Sequence, residues 1–288
     1  MTKIIINSIS VMYKVAFGIT GVICLVLMSG CKEIPIAIGE FVIPESDRMI
    51  VIEELTGASC SNCPKGTAAI KSIIAGAPER VAVIAIHGLF LSEPTSKSKY
   101  DFRNPKAKDL EGWFKDWFGK PSASVNRVAT PSGSLMIGNP ELWQAAVIEE
   151  LKKPNEMNII LDGKFDADTR MFELNIAAIP LVALTGSYNI TVYLTESKII
   201  DAQKNGSIIL DVYTHDHVLR DMITKFDGDS FGANLKKSEV INRRYTYTVP
   251  SPEDGLFVPE NLEVVVMVSR NEVNDKSIVQ AATIHVKK

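Results

Sequence analysis

Positive charge is not in surplus in this 288-residue sequence, where 31 Lys and Arg stand against 34 Asp and Glu. Nucleic-acid backbones select concentrated positive charge, so no nucleic-acid partner is expected. Aromatic residues make up only 7% of the chain, too few for an extended stacking surface. There is no Gly-rich phosphate loop and no internal repeat. The four histidines are too scattered to suggest a zinc set, which needs four ligands, so neither metal nor cofactor is expected. The four cysteines are not spread as a disulfide framework would be. An apolar fraction of 46% with 23% charge excludes low-complexity disorder, and the length is ample for a core.

The N-terminus carries Lys3 and Lys14 and no acid before residue 31. The apolar run Val15–Met28 follows, short of the roughly 20 residues a bilayer span needs. A positive segment and a short apolar segment make a secretory signal. It ends in Leu27-Met28-Ser29-Gly30-Cys31, which resembles a bacterial lipobox. That resemblance implies cleavage before Cys31 and acylation of it with palmitate-type chains. Residues 1–30 are then the signal peptide, 31–47 a lipidated tether, and Cys24 leaves with the signal. An uncleaved anchor helix is the alternative. On both readings the rest of the chain is exported and held at a membrane, and two acyl chains anchor stably where one would not.

Beyond the tether the sequence has two grammars. Met49–Leu55 and the β-branched run Val81–Ile86 read as strands, with a helix between them from Cys60 to about Ala75. Pro64 suits its first turn. A second helix is expected over Lys106–Phe118, with Trp113 and Trp117 as a core stripe, then short strands at Ser122–Val128 and Ser134–Ile137 and a helix over Pro140–Lys153. After Pro154, seven short strands are expected: 158–165, 171–179, 188–194, 208–212, 244–249, 262–268 and 278–286. This predicts an α/β domain over 48–153 and an all-β sandwich over 154–288.

One constellation carries chemistry. Cys60-Ser61-Asn62-Cys63-Pro64 follows a strand and a tight turn and opens a helix. The unpaired N–H groups and partial positive charge of a helix start stabilise a thiolate. Cys60 is expected to be exposed, with a depressed pKa, and to attack. Cys63, one turn on, is placed to resolve the mixed disulfide. Glu54 precedes Cys60 by six residues and is positioned to relay the Cys63 proton. Pro121, between a helix and a strand, is a candidate cis-proline, which with Lys120 would shape a peptide site. The bland reading stays open: exported compartments oxidise thiols, so Cys60 and Cys63 can form a purely structural disulfide. His215 and His217 read as strand-end residues that satisfy backbone groups.

These residues resemble the thioredoxin superfamily over about 45–153. Its fold, its exchange of thiols and disulfides, and the roles of Glu54, Cys60, Cys63 and Pro121 are what that resemblance implies. Ser59 and the Ser61-Asn62 pair depart from the family pattern. A narrower resemblance rests on Glu53-Glu54-Leu55-Thr56-Gly57 through Pro64, on Gly119-Lys120-Pro121 with Val125-Asn126-Arg127, and on Tyr213-Thr214-His215-Asp216-His217-Val218-Leu219-Arg220. Together they look like the lipoprotein family named for a twenty-eight-kilodalton outer-membrane protein of Bacteroidota. It implies outer-membrane attachment, facing the periplasm or the surface, and a thioredoxin-like domain before a β-rich one, here expected to be immunoglobulin-like. The leading functional expectation is thiol–disulfide exchange with exported proteins. A binding or adhesin-type lipoprotein with a static disulfide is the alternative.

Overall fold

β-Branched and alternating apolar runs dominate the chain, and strands dominate its structure. A computed structural model of the chain describes residues 47–251 and 255–287. The expected signal, Cys24, Cys31 and nearly all of the tether lie outside the described residues.

β1 (Ile50–Leu55) pairs in parallel with β2 (Val81–Ile86). The connection carries α1 (Cys63–Gly76), which starts at Cys63 rather than Cys60 because Cys60–Asn62 form the turn before it. β3 (Ser122–Val125) runs antiparallel to β1 on its other edge. α2 (Pro105–Trp113) is capped by Asn104, whose side chain accepts from the Ala107 N–H. It stops five residues short of the expected Phe118. The backbone turns extended at Phe114, whose ring is buried, and left-handed at Asp116. Trp113 thus ends the helix and Trp117 lies beyond it, although both pack against the same core. Of the expected strand 134–137, only a bridge between Ile137 and Ala123 forms. α3 (Trp143–Leu151) follows a short 3-10 turn.

All seven strands expected after Pro154 form: β4 (Met157–Phe165), β5 (Met171–Pro180), β6 (Leu184–Glu196), β8 (Ile208–His215), β11 (Ile241–Thr248), β12 (Leu262–Arg270) and β13 (Ile278–His285). Three more were not anticipated: β7 (Ile199–Asn205), β9 (Val218–Met222) and β10 (Asp229–Leu235). β7 holds polar residues at Asp201, Gln203 and Lys204, which hide its period. Its hairpin signal was nonetheless present as Asn205-Gly206, with Gly206 at φ +59°.

The strand order is β13-β12-β6-β9-β2-β1-β3, with β10 also on β6. Lys153-Pro154 marks the change from helices to strands, yet one sheet crosses it. β9 joins β2 in parallel at Ala85–Val218, and the Ala85 N–H donates to the His217 carbonyl at 2.8 Å. A second sheet, β11-β5-β4, shares a core with β6 and β12 through Phe172, Leu174, Ile190, Val192, Val264 and Val266. This is sandwich packing of two sheets. Around β1, alternation decides the partners. Ile50 and Ile52 pack with Ile70 and Ile73 of α1 and Trp143 of α3, whereas Val51 and Leu55 pack with Leu110 of α2 and Phe114. Each such side chain, fully buried, contributes about 1.5–3 kcal/mol.

Candidate functional site

The end of β1 delivers the chain into a crowded turn. A side chain at Gly57 would meet the Leu91 carbonyl oxygen at 2.0 Å, so only glycine fits. Ser92 Oγ donates to the Thr56 carbonyl at 2.9 Å, and Ser59 Oγ to that of Glu93 at 2.7 Å. Cys60 and Cys63 follow and are joined by a disulfide. α1 begins there, with Pro64 in its first turn and no side-chain cap at Asn62.

Two expected site residues, Glu54 and Pro121, converge one turn into α1. A side chain at Gly66 would lie 2.4 Å from Glu54 Oε1, 2.9 Å from Pro121 Cβ and 3.1 Å from the Trp143 ring. Gly66 is therefore the contact point of β1, α1, α3 and the Pro121 loop, and sequence reading did not single it out. The Lys120–Pro121 bond is cis. Lys120 turns inward, its ammonium 2.6 Å from Glu111 and donating to Ser92 at 2.8 Å. Its part in the site is therefore to hold the loop that carries Pro121, with its ammonium already occupied.

Glu54 is buried, and its Oε1 has no hydrogen-bond partner among the described residues. Burial raises its pKa from 4.5 to about 8, against a smaller opposing pull from Lys120. It is therefore a protonated acid near neutral pH. It borders a cavity of about 50 Å³ lined also by Thr67, His87, Tyr213, His215 and His217, enough for a water molecule or more. Burial lowers the pKa of all three histidines, that of His215 to about 4. His215 Nε2 lies 3.3 Å from the Ala202 carbonyl, at the end of β8. Among the described residues no cluster of His, Cys, Asp and Glu could hold a metal ion.

Exposure of Cys60 is the expectation the structure corrects. Cys60 is 1% exposed and Cys63 2%. The β7–β8 hairpin lies over their loop. The Lys204 N–H donates to the Ala58 carbonyl and the Gly206 N–H to that of Ser61, both at 2.9 Å. Gln203 Nε2 donates to the carbonyls of Gly57 and Cys60, both at 3.1 Å. The cover comes from 140 and more residues downstream, so local reading around the cysteines could not have found it. A groove of about 770 Å³ opens beside the same turn, between Asn62, Lys65 and Ala69 on one side and Trp117, Pro121 and Met136 on the other.

The other quoted motifs prove to be girders. Arg127 makes a two-pronged pair with buried Glu53 at 2.7 and 2.8 Å, and Tyr193 donates to the same carboxylate at 2.5 Å. Asn126 accepts from the Val51 N–H and donates to Glu150. In the 213–220 run, Arg220 lies 3.3 Å from buried Glu196, while His217 ties the run to β2.

The model of the outer membrane protein Omp28 family matches residues 113–288, more than half of the chain. Among solved structures, HBP35 of Porphyromonas gingivalis superposes with a TM-score of 0.66 at 17% identity, covering 85% of this chain and 77% of its own. A protein of Agrobacterium tumefaciens gives 0.52 at 13% identity, covering 85% and 97%. At these identities the likeness is one of fold. A domain of the outer membrane lipoprotein Omp28 from Porphyromonas gingivalis reaches 0.33 at 20% identity, over 47% of this chain and 91% of its own. Among curated protein sequences no match is found. No helix among the described residues is long and apolar enough to cross a membrane. The chain therefore belongs to the Omp28 family and is a protein of the cell envelope, at the outer membrane.

Proposed function

We propose that this chain is a lipid-anchored envelope protein whose first half is a thioredoxin-like unit that exchanges thiols and disulfides with exported proteins. The convergence at Gly66 of an unpaired buried Glu54, the cis Lys120–Pro121 loop and the helix that starts at the Cys60–Cys63 disulfide carries this reading. The two-layer packing of β11-β5-β4 on β6 and β12 supports an immunoglobulin-like second half. Acylation of Cys31 completes the proposal. Labelled palmitate should enter the wild type and be absent from Cys31→Ser.

In the reduced state Cys60 Sγ, as thiolate, attacks a partner disulfide. A new S–S bond forms and the partner's second sulfur leaves with the electron pair. Cys63 gives its proton to ionised Glu54 and attacks Cys60 Sγ, which releases the partner's remaining sulfur as a thiolate. The partner is reduced by two electrons and the Cys60–Cys63 bond is restored. In the opposite direction a partner dithiol is oxidised, and protonated Glu54 gives its proton to the leaving Cys63 sulfur. A carboxyl titrating at about 8 can serve both directions near neutral pH.

The test is insulin reduction with dithiothreitol as the terminal reductant. Wild type should turn over, Cys60→Ser should lose activity, and Cys63→Ala should accumulate mixed disulfides. The burial of both cysteines favours a second reading, a binding or adhesin-type lipoprotein with a structural staple. No turnover by the wild type on any protein disulfide would establish that reading instead.

A further inference from the structure

The β7–β8 hairpin covers the disulfide without being built into either large sheet. Among the described residues its two strands pair only with each other, as a separate two-stranded sheet. Its base is well anchored. The Asp201 carboxylate accepts the Lys99 and Tyr100 N–H groups at 2.7 and 2.9 Å, while Ala202 and His215 are buried. Its tip is not. Residues 204–208 are exposed, and the tip meets the cysteine loop through polar bonds from Gln203, Lys204 and Gly206. Segments held by few apolar contacts and exposed hydrogen bonds open locally, at far less cost than global unfolding.

The bonding pattern gives the tip a particular meaning. The N–H groups of Lys204, at the end of β7, and Gly206, in the turn that follows, donate to the carbonyls of Ala58 and Ser61. An extended polypeptide docking on this turn would use the same acceptors. Gln203 alone among the tip's side chains is buried here, and its amide bridges Gly57 and Cys60.

We propose that residues 203–208 form a strap over the Cys60–Cys63 disulfide, with Gln203 as its latch, and that a thiol reaches the disulfide only when the tip peels back. The idea deepens the exchange reading and takes its biological sense from it. Its test reads only the chain's own disulfide, so a failure of insulin turnover leaves the test intact.

The full chain in detergent is treated with dithiothreitol under native conditions, and loss of the Cys60–Cys63 bond is followed by alkylation and mass spectrometry. One thiolate of dithiothreitol attacks a cysteine sulfur and displaces the other. The second thiolate then closes the oxidised ring, leaving two cysteine thiols. Gln203→Ala removes both latch bonds and should speed this reduction on the order of tenfold, as for the net loss of about a pair of hydrogen bonds. Folding of the variant is checked by its far-ultraviolet circular dichroism. Amide hydrogen exchange on the wild type provides the second measurement, should the variant fail to fold. The Lys204 and Gly206 N–H groups should exchange by local opening, insensitive to low denaturant, far ahead of Ile84 and Val266. An unchanged reduction rate in folded Gln203→Ala overturns the strap. So does exchange of Lys204 and Gly206 only through the global unfolding that releases Ile84.

Discussion

Strand alternation sends the carboxyls of Glu53 and Glu54 to opposite faces of β1, and their chemistry diverges from there. Glu53 meets Arg127 and Tyr193, which satisfy its charge in a dry setting. Glu54 has one oxygen without a partner among the described residues. Arg127→Ala should therefore cost about 3–5 kcal/mol in denaturant unfolding, because it strands a buried charge. Glu54→Gln should cost little at neutral pH. Glu54 also shapes the pH profile. A carboxyl whose pKa is raised from 4.5 to about 8 on folding holds its proton in the native state and loses it in the unfolded one. Stability then falls as pH rises through that window, by about 1.4 kcal/mol per unit. His87, His215 and His217 act in the opposite sense. Their lowered pKa values make stability rise with pH up to the ordinary histidine value of 6.5. Stability should therefore peak near pH 6.5 and decline toward 8. Glu54→Gln should abolish the decline and leave the rise intact, as read by denaturant midpoints across pH.

At the scale of elements, the site is a meeting of β1, α1, α3 and the Pro121 loop over one missing side chain. Gly66→Ala would force the Glu54 carboxyl aside and press on Pro121 and Trp143. It should destabilise the fold by about 1–3 kcal/mol, as overpacking does. If Glu54 relays the proton of Cys63, the same substitution should also slow insulin turnover. The spacing of Glu54, Cys60 and Cys63 was legible because strand, turn and helix start are local in sequence. Gly66 was not, because its steric role depends on Pro121 and Trp143, 55 and 77 residues away. Nor was the hairpin cover legible. Asn205-Gly206 announces a hairpin, but nothing in its residues says that its edge bonds Ala58 and Ser61.

Across the whole molecule, the shared sheet makes the two halves interdependent. Leu219, Met222, Val265 and Met267 from the second half share a core with Val51, Ile84, Leu110 and Phe114 of the first. Tyr193 reaches back to bond Glu53. Unfolding of the disulfide-intact chain should accordingly be a single calorimetric transition. Residues 47–153 expressed alone should fail to give a cooperative one, since β2 would lose β9 and that core its outer wall.

Local information, carried by β-branched runs, turn residues and the Cys-x-x-Cys spacing, was enough to determine seven strands of the second half but not β7, β9 and β10, together with the helix beginning at the cysteines and the acid aligned with them. Those features depend on contacts between near neighbours in the chain. Whether Cys60 meets solvent, whether the pKa of Glu54 is raised by burial, and whether two sequence grammars make one sheet or two were decided only by tertiary structure. Each depends on groups far apart in sequence, and dielectric and steric access at a residue are properties of what the folded chain packs around it.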